Sequence, residues 1–367
     1  MKHISILALS VITTIGFIPH AADAAPVSRF QSSNVITNNI AAMQHSIMLN
    51  AFNNFGAELD LGEYSEHKEM AMIAPKEPQA NNEPVYGEML FYGEYGDDTG
   101  IDKKEFGHNG GDATDSNYNW FAWQHAQDKA KLSNYDKIDS RYDLVSMGFS
   151  NQPKQSGDGV YQFGGFGGLT LAHEDTDTVK LDENGGYIGL FQGYNIHRFH
   201  IYVAGDTGLL FSDAKSSSGD YDFTHFWAGV AANASYDIVL NERLILEPGM
   251  YMGYTYIHSS GYESDTGHEL SLAGSHMLEA TPSLSAMLNF NNGWFGAASV
   301  RYVFNFPYVG DIKVAGVTMP DLELKDYSEV ELSVNKNAER FGFSANIGYH
   351  NGGRTGWFGG IQVRYVF

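Results

Sequence analysis

Cysteine is absent from the 367-residue chain, which excludes disulfide bonds, a thiolate zinc site and a cysteine nucleophile. Basic residues are scarce, because 22 Lys and Arg stand against 44 Asp and Glu, giving a net charge of −22. A nucleic-acid-binding protein needs basic side chains to displace counterions from phosphates, so this charge argues against one. Beyond the N-terminus, no run approaches the roughly 20 apolar residues that a membrane-spanning helix needs.

The residues that are abundant indicate a folded protein. Aromatic residues make up 14% of the chain, and 41 glycines accompany only 10 prolines. Acidic disordered chains are poor in aromatics. The mean hydropathy of −0.28 excludes a bundle of membrane helices. It does not exclude a membrane β-barrel, in which only alternate residues of each strand meet lipid.

Residues 1–24 have the features of a secretory signal peptide. Lys2 and His3 give a basic start, Ile4 to Ile18 is apolar, and Ala22-Asp23-Ala24 supplies a small-x-small cleavage pattern. An uncleaved N-terminal anchor helix is the alternative. We therefore expect an exported protein.

Apolar and polar residues alternate with a period of two in the second half of the chain. In Phe341 to His350, every second residue from Phe341 to Tyr349 is apolar, and those between are Gly, Ser, Asn and His. Successive side chains of a strand point to opposite faces, so this pattern predicts a strand with one apolar face. The pattern recurs in Glu279–Phe290, Trp294–Phe306, Asp326–Asn335 and Trp357–Phe367.

Two features favour a membrane barrel over a soluble β-sandwich, which also alternates. Aromatic residues such as Trp294 and Phe304 lie at both ends of the apolar faces, about 20–25 Å apart along a tilted strand. The polar faces carry charges that a dry core would bury at a cost of several kcal/mol each, whereas a wet lumen would not. The polar and charged residues expected in that lumen are Glu279, Arg301, Glu329, Glu331, Asn346 and Arg364.

The sequence predicts an all-β fold: an antiparallel transmembrane barrel of about twelve strands over residues 85–367. The strands are expected to start near Val85, Tyr142, Gly159, Gly186, Arg198, Asp222, Arg243, Glu279, Trp294, Asp326, Glu339 and Trp357. Every second link is short, as periplasmic turns are, and the others are mostly longer and acidic, as exterior loops are. The predicted exterior loops include Asp97–Ser140, with a helix over Asn119–Leu132, Thr176–Gly185 and Ser212–Asp220.

The ordered motifs of this region resemble those of the β-domain, or translocator, of bacterial autotransporters. Leu246–Tyr256 is similar to the family's E-P-containing strand, Gly186–Tyr202 to its Gly-rich hairpin, and Trp227–Tyr236 to a further strand. The chain ends in Phe with apolar residues at alternate positions before it, as the family's outer-membrane assembly signal does. In this chain the residues of that signal are Val363, Tyr365 and Phe367.

The resemblance implies a helix in the lumen that leads to an exported passenger. Val35–Phe55 has apolar residues at helical spacing and is the candidate for that helix within an N-terminal segment, residues 25–84; an ordinary surface helix is the alternative. Some members cleave themselves between paired asparagines, so Asn38 and Asn39 are a candidate pair, although many asparagines nearby make coincidence the expected explanation. Glu58–Pro84 reads as an acidic linker, and no repeat of a solenoid passenger is present.

We therefore expect a barrel that anchors or translocates a short N-terminal segment to the surface of a Gram-negative cell. The expected partners are outer-membrane lipid, lipopolysaccharide, the barrel-assembly machinery and periplasmic chaperones; the protein should be monomeric, without cofactor or metal, and not an enzyme. The alternatives are a plugged barrel whose loops bind other molecules, a small pore, and a hydrolase using His173 or His258 at the rim.

Overall fold

Twelve long antiparallel strands form a closed barrel, and the described residues that precede it in the chain form one helix. The computed structural model describes residues 37, 39–53, 117–131, 137–156, 158–176, 179–216, 219–241, 243–260, 262–263, 269–271, 274–291, 293–309, 313–314, 317–318, 324–338 and 340–367. The helix α1 covers residues 39–53. Among the described residues, none belongs to a helix long and apolar enough to cross a membrane.

The barrel strands follow one another in chain order. They are β1 (Tyr118–Lys131), β2 (Lys137–Ser150), β3 (Gly159–Asp175), β4 (Val179–Ile196), β5 (Phe199–Ser216), β6 (Gly219–Tyr236), β7 (Leu244–Ser259), β8 (Ser275–Asn291), β9 (Trp294–Val309), β10 (Tyr327–Asn337), β11 (Phe341–Gly352) and β12 (Arg354–Val366). Each strand pairs with the next, and β1 also pairs with β12 from Tyr118 opposite Val366 to Ala130 opposite Arg354. This last pairing closes the barrel and leaves no exposed sheet edge.

The two ends of the barrel differ in their links. At the end we call the turn end, where β1 begins and β12 finishes, three links are tight turns at residues 197–198, 292–293 and 338–340. At the opposite loop end, the links at residues 260–274 and 310–326 are long, and the links at residues 132–136, 176–178, 217–218 and 353 are short. Short strands within the two long links pair to form a small separate sheet of Tyr262–Glu263, Glu269–Ser271, Lys313–Val314 and Val317–Thr318.

The outer face of the barrel is a continuous apolar surface. On β12, Trp357, Ile361, Val363, Tyr365 and Phe367 all point outward and are 39–61% exposed. Exposed apolar patches of this extent are unusual on soluble proteins, whereas an apolar band is what a β-barrel presents to lipid. The alternation in the sequence therefore predicted the faces of these strands correctly, and the twelve-stranded barrel is confirmed.

Two predicted loops are strands in the structure. Thr176–Gly185 and Ser212–Asp220 were expected to be loops, but β4 begins at Val179 and β5 continues to Ser216. Here the outward residues are charged, and Lys215 lies 3.9 Å from Asp182 on the neighbouring strand. Strands that extend past the apolar band meet water on their outer face, so the hydrophobic alternation stops although the backbone pairing continues.

The first strand was also misplaced. A strand near Val85 was predicted, but the strand that pairs with both β2 and β12 is β1, over the segment predicted to be a helix within a loop. The helix prediction for Asn119–Leu132 is therefore wrong. Val85 itself, the signal peptide of residues 1–24, Asn38 and the linker Glu58–Pro84 lie outside the described residues.

Candidate functional site

The helix α1 lies in the lumen of the barrel. Its apolar residues Ile40, Met43, Ile47 and Met48 are at most 2% exposed, and its polar residues Asn39, Gln44, His45 and Asn50 are buried as well. Residues 39–53 contain no glycine or proline, which favours a continuous helix. At 1.5 Å per residue, α1 is about 22 Å long, close to the height of an outer-membrane apolar band. The predicted lumen helix is thus confirmed.

The direction of α1 follows from its contacts at each end. Near its start, the Asn39 amide donates a hydrogen bond to Glu183 on β4, close to the loop end. Near its finish, Asn50 Nδ2 donates to Ser146 Oγ on β2, 3.4 Å away and close to the turn end. The helix therefore runs with its N-terminus at the loop end and its C-terminus at the turn end, where β1 begins.

A chain of charged and imidazole groups joins α1 to the wall. His45 Nδ1 lies 2.6 Å from Glu279 Oε1, and His45 Nε2 lies 3.4 Å from Glu329 Oε1. Glu329 Oε1 is also 3.1 Å from His350 Nε2, whose Nδ1 lies 2.8 Å from Asp128 Oδ1. Because each imidazole has a carboxylate at both nitrogens, the geometry suits imidazolium, which carries an N–H at each.

Arginines on the wall complete this chain. Arg301 Nη1 lies 2.6 Å from Glu331 Oε2 and 3.6 Å from Glu329 Oε2. Arg354 Nη1 lies 3.3 Å from Asp128 Oδ2. Removing one partner of a buried ion pair costs about 3–5 kcal/mol, because the other charge remains uncompensated. These ion pairs therefore hold α1 in the lumen and also fix its position there.

Contacts made by uncharged side chains of α1 place the helix along the rest of its length. Gln44 Nε2 donates to Asp206 Oδ1 at 2.7 Å, and the hydroxyls of Ser46 and Tyr142 are 2.8 Å apart. Gly229 permits the approach at Gln44, because a Cβ added there would overlap the Gln44 amide. Near the C-terminal end, the Phe52 ring packs 6.1 Å from that of Tyr202.

No protein-family model matches this sequence, and no curated protein matches it either. The fold is similar to that of three solved structures. The β-domain of the Bordetella autotransporter BrkA matches with a TM-score of 0.56 and 13% identity, over 68% of this chain and 99% of that one. The transport unit of AIDA-I from Escherichia coli gives 0.56 and 11%, over 73% and 93%. The translocator domain of NalP from Neisseria meningitidis gives 0.57 and 10%, over 68% and 88%.

The chain has the fold of an autotransporter translocator barrel. The resemblance in the motifs is thus confirmed in three dimensions, and at these identities the similarity shows the fold alone.

All six polar residues expected in the lumen of this translocator-type barrel lie on its inner face. Asn346 Nδ2 donates to Glu331 Oε1 at 3.1 Å, and Arg364 Nη2 donates to Asn337 Oδ1 at 2.9 Å. The ion pairs described above, within the wall and between the wall and α1, include Glu279, Arg301, Glu329 and Glu331. Five of the six thus touch one another or α1, whereas Arg364 contacts the turn end, over the ring of Tyr118.

Sequence reasoning missed several carboxylates of the lumen, among them Asp128, Glu174, Glu183, Asp206 and Glu247. Glu183 belongs to a strand extension that had been assigned to a loop, Glu174 lies at the end of the strand predicted from Gly159, and Asp128 belongs to the unrecognised β1. Asp206 lies in β5 among inward residues, and continuing the alternation from Tyr202 would have found it. Strand alternation was therefore the usable signal, and it failed wherever a strand boundary was wrong.

The rim histidines do not come together with the residues beside them in sequence. His173 points outward to Asp182, 2.7 Å away, while Glu174 points inward. His258 likewise points outward, and Ser259 points inward to His225, with 2.7 Å between Oγ and Nδ1. The Ser259–His225 pair was not predicted. Both side chains are buried, at 8% and 0% exposure, so the pair has no open surface for a lipid or peptide.

The C-terminal residues expected to form the assembly signal, Val363, Tyr365 and Phe367, point outward from β12 at the turn end. The rings of Tyr365 and Phe341 on the neighbouring strand are 5.0 Å apart. Asn39, one of the paired asparagines, is buried against Glu183. Self-cleavage there stays a prediction, since Asn38 lies outside the described residues.

Proposed function

We propose that this protein is an outer-membrane barrel of the autotransporter type that anchors or translocates its own N-terminal segment to the cell surface. The observation that carries the proposal is the direction of α1, whose N-terminus lies at the loop end. Long links of outer-membrane barrels face the exterior and short turns face the periplasm. The chain before α1 would then emerge at the cell surface, and α1 would connect it through the lumen to β1.

The fit between α1 and the wall supports this role. His45 meets Glu279 and Glu329, Gln44 meets Asp206 and Asn39 meets Glu183. Buried polar groups are costly unless they are paired, so four matched contacts are expected of a helix that occupies the lumen by design. In this proposal the segment is exported first and α1 then remains in the lumen as its anchor.

The same fit favours a second candidate, a permanently plugged barrel whose exterior links bind other molecules. In both candidates the barrel is exported by its signal peptide and is monomeric. It meets lipopolysaccharide and lipid with its apolar band, uses periplasmic chaperones and has no enzymatic role.

We also propose that Val363, Tyr365 and Phe367 are recognised by the barrel-assembly machinery. Insertion into liposomes that contain or lack that machinery would measure this dependence.

Single cysteines test the topology, because the natural chain has none and each introduced thiol is unique. We expect Ser32→Cys, upstream of α1, to react in intact cells with a maleimide that cannot cross the outer membrane. Lys215→Cys, exposed near the loop end, is the positive control. Arg198→Cys, in a turn, should react only after the membrane is permeabilised.

Mass spectrometry of the labelled chain then shows whether the exported segment stays attached. A labelled segment that is still attached or released at the surface supports anchoring or translocation. A Ser32→Cys thiol that reacts only after permeabilisation, as Arg198→Cys does, contradicts the direction of α1 on which the proposal rests and, with it, export of the segment.

A further inference from the structure

The basic side chains Arg301 and Arg354 on the inner wall are already paired with carboxylates of the wall itself. Arg301 contacts Glu331 and Glu329, at 2.6 Å and 3.6 Å. Arg354 contacts Asp128 at 3.3 Å. No lysine whose side chain the structure describes faces the lumen. The positive charges of Arg301 and Arg354 are therefore met by wall carboxylates whether or not α1 is present, and Arg364 lies at the turn end, where it donates to Asn337.

A second group of wall carboxylates depends on α1. Glu183 receives the Asn39 amide, Asp206 receives Gln44 Nε2 at 2.7 Å, and Glu279 lies 2.6 Å from His45 Nδ1. Without α1, the side-chain partners recorded for these carboxylates are neutral. They are Ser212 at 3.0 Å, Trp227 at 3.4 Å and Thr281 at 2.8 Å respectively.

A further buried carboxylate faces the same space. Glu174 is fully buried on the inner face of β3 and accepts a hydrogen bond from Ser140 Oγ at 3.3 Å. Its second oxygen, Oε2, is buried without a hydrogen-bond partner among the described residues. Glu174, Glu183 and Asp206 lie on the adjacent strands β3, β4 and β5, and Glu279 lies on β8.

We propose that the barrel conducts cations in preference to anions when α1 leaves the lumen, and that Glu174, Glu183, Asp206 and Glu279 set this preference. Rings of Asp and Glu select cations in channels, because low-dielectric walls strengthen their field inside a narrow passage. Here α1 covers the charges and its departure uncovers them. The class of permeant ion is small monovalent cations, and this inference rests on the proposed ability of α1 to leave.

The experiment uses the full chain in planar bilayers with a KCl gradient, at low salt so that the wall charges are little screened. Gly229→Leu is intended to displace α1 without changing any charge, because a side chain at that position overlaps the Gln44 amide of α1. We expect frequent openings in which K⁺ permeates several-fold more readily than Cl⁻. Adding Glu174→Gln, Glu183→Gln, Asp206→Asn and Glu279→Gln should bring the permeability ratio close to one.

Asp213→Asn is the matched control, since Asp213 points outward on β5 and should leave the ratio unchanged. Heat-dependent gel mobility checks that each barrel is folded. If the variant with all four carboxylates neutralised does not fold, Asp206→Asn alone should lower the ratio. Spermine, a polyvalent cation, should also block the Gly229→Leu current.

The outcomes separate this inference from the proposed function. Openings that favour Cl⁻, or a preference for K⁺ that survives neutralisation, would overturn the selectivity and leave export untouched. A channel that never opens overturns the inference as well, while the cysteine labelling decides export independently.

Discussion

At the scale of single residues, His45 is the only described residue of α1 whose side chain can carry a charge. It sits between two carboxylates that belong to different strands, β8 and β10. A helix with only apolar side chains could slide or rotate in the lumen, whereas α1 has a single position at which the charge of His45 meets both carboxylates. The imidazole therefore specifies register as well as contributing to binding.

We predict that His45→Ala loosens α1. Glu279 and Glu329 would lose their shared partner inside the barrel, which by analogy with other buried pairs costs about 3–5 kcal/mol. Amide hydrogen exchange across residues 39–53 should become markedly faster, while exchange in the barrel strands stays slow. The measurement is hydrogen exchange followed by mass spectrometry on protein in detergent micelles.

The matched control for that experiment is His173→Ala. His173 also pairs with a carboxylate, at 2.7 Å from Asp182, but on the exposed outer face. Exposed pairs contribute about 0–1 kcal/mol, so exchange in α1 should not change. Equal exchange rates in His45→Ala and the unsubstituted protein would show that the ion chain does not hold the helix.

At the scale of elements, β1 decides whether the sheet closes. Its inward Trp120 lies opposite Gly148 of β2, and a Cβ added at Gly148 would overlap the Trp120 indole. A large side chain on one strand is thus accommodated by the missing side chain on the next. This complementarity fixes the register of β1, where apolar residues lie on both faces around Trp120 and Trp123.

We predict that Gly148→Val destabilises the barrel. Valine suits strands in general, but here its side chain must displace the indole or separate β1 from β2. Gly205→Val on β5 is the control, because a Cβ there meets its nearest neighbours at 3.5 Å and 3.7 Å, ordinary contact distances. The urea midpoint of unfolding in micelles should fall for Gly148→Val and change little for Gly205→Val. A similar midpoint for both variants would contradict the role of this contact.

These elements show which parts of the fold a sequence can predict. Phe341–His350 alternates cleanly because lipid lies on one side and water on the other, so its strand and both faces followed from pattern alone. β1 carries Ala, Gln and Lys, which favour helices, and the pairing with β2 and β12 overrides that preference. The partners of Glu183 and Asp206 could not be predicted, because they depend on where α1 lies along the barrel axis.

At the scale of the whole molecule, polarity is inverted relative to a soluble protein. The charged and hydrogen-bonded groups of Asp128, Glu329 and Arg354 are buried within the barrel, while rings such as Trp294 and Phe341 cover its outside. The net charge of −22 and the apolar band are therefore compatible, since the charges lie in the lumen and beyond the band. The apolar side chains of the band and the charged side chains are both stable only where lipid surrounds the band and water meets both ends of the barrel.

We therefore predict that the mature protein is a folded monomer only in detergent or lipid. Dilution below the detergent's critical micelle concentration should cause aggregation, because exposed side chains such as Leu190, at 70%, and Ile188, at 69%, would meet water or another copy. Light scattering after dilution into buffer with and without detergent measures this. A soluble β-sandwich of the same size buries its apolar faces between its sheets and would stay monomeric in both buffers. A folded monomer in plain buffer would thus contradict the assignment of the outer face to lipid, and with it the topology on which export of the N-terminal segment depends.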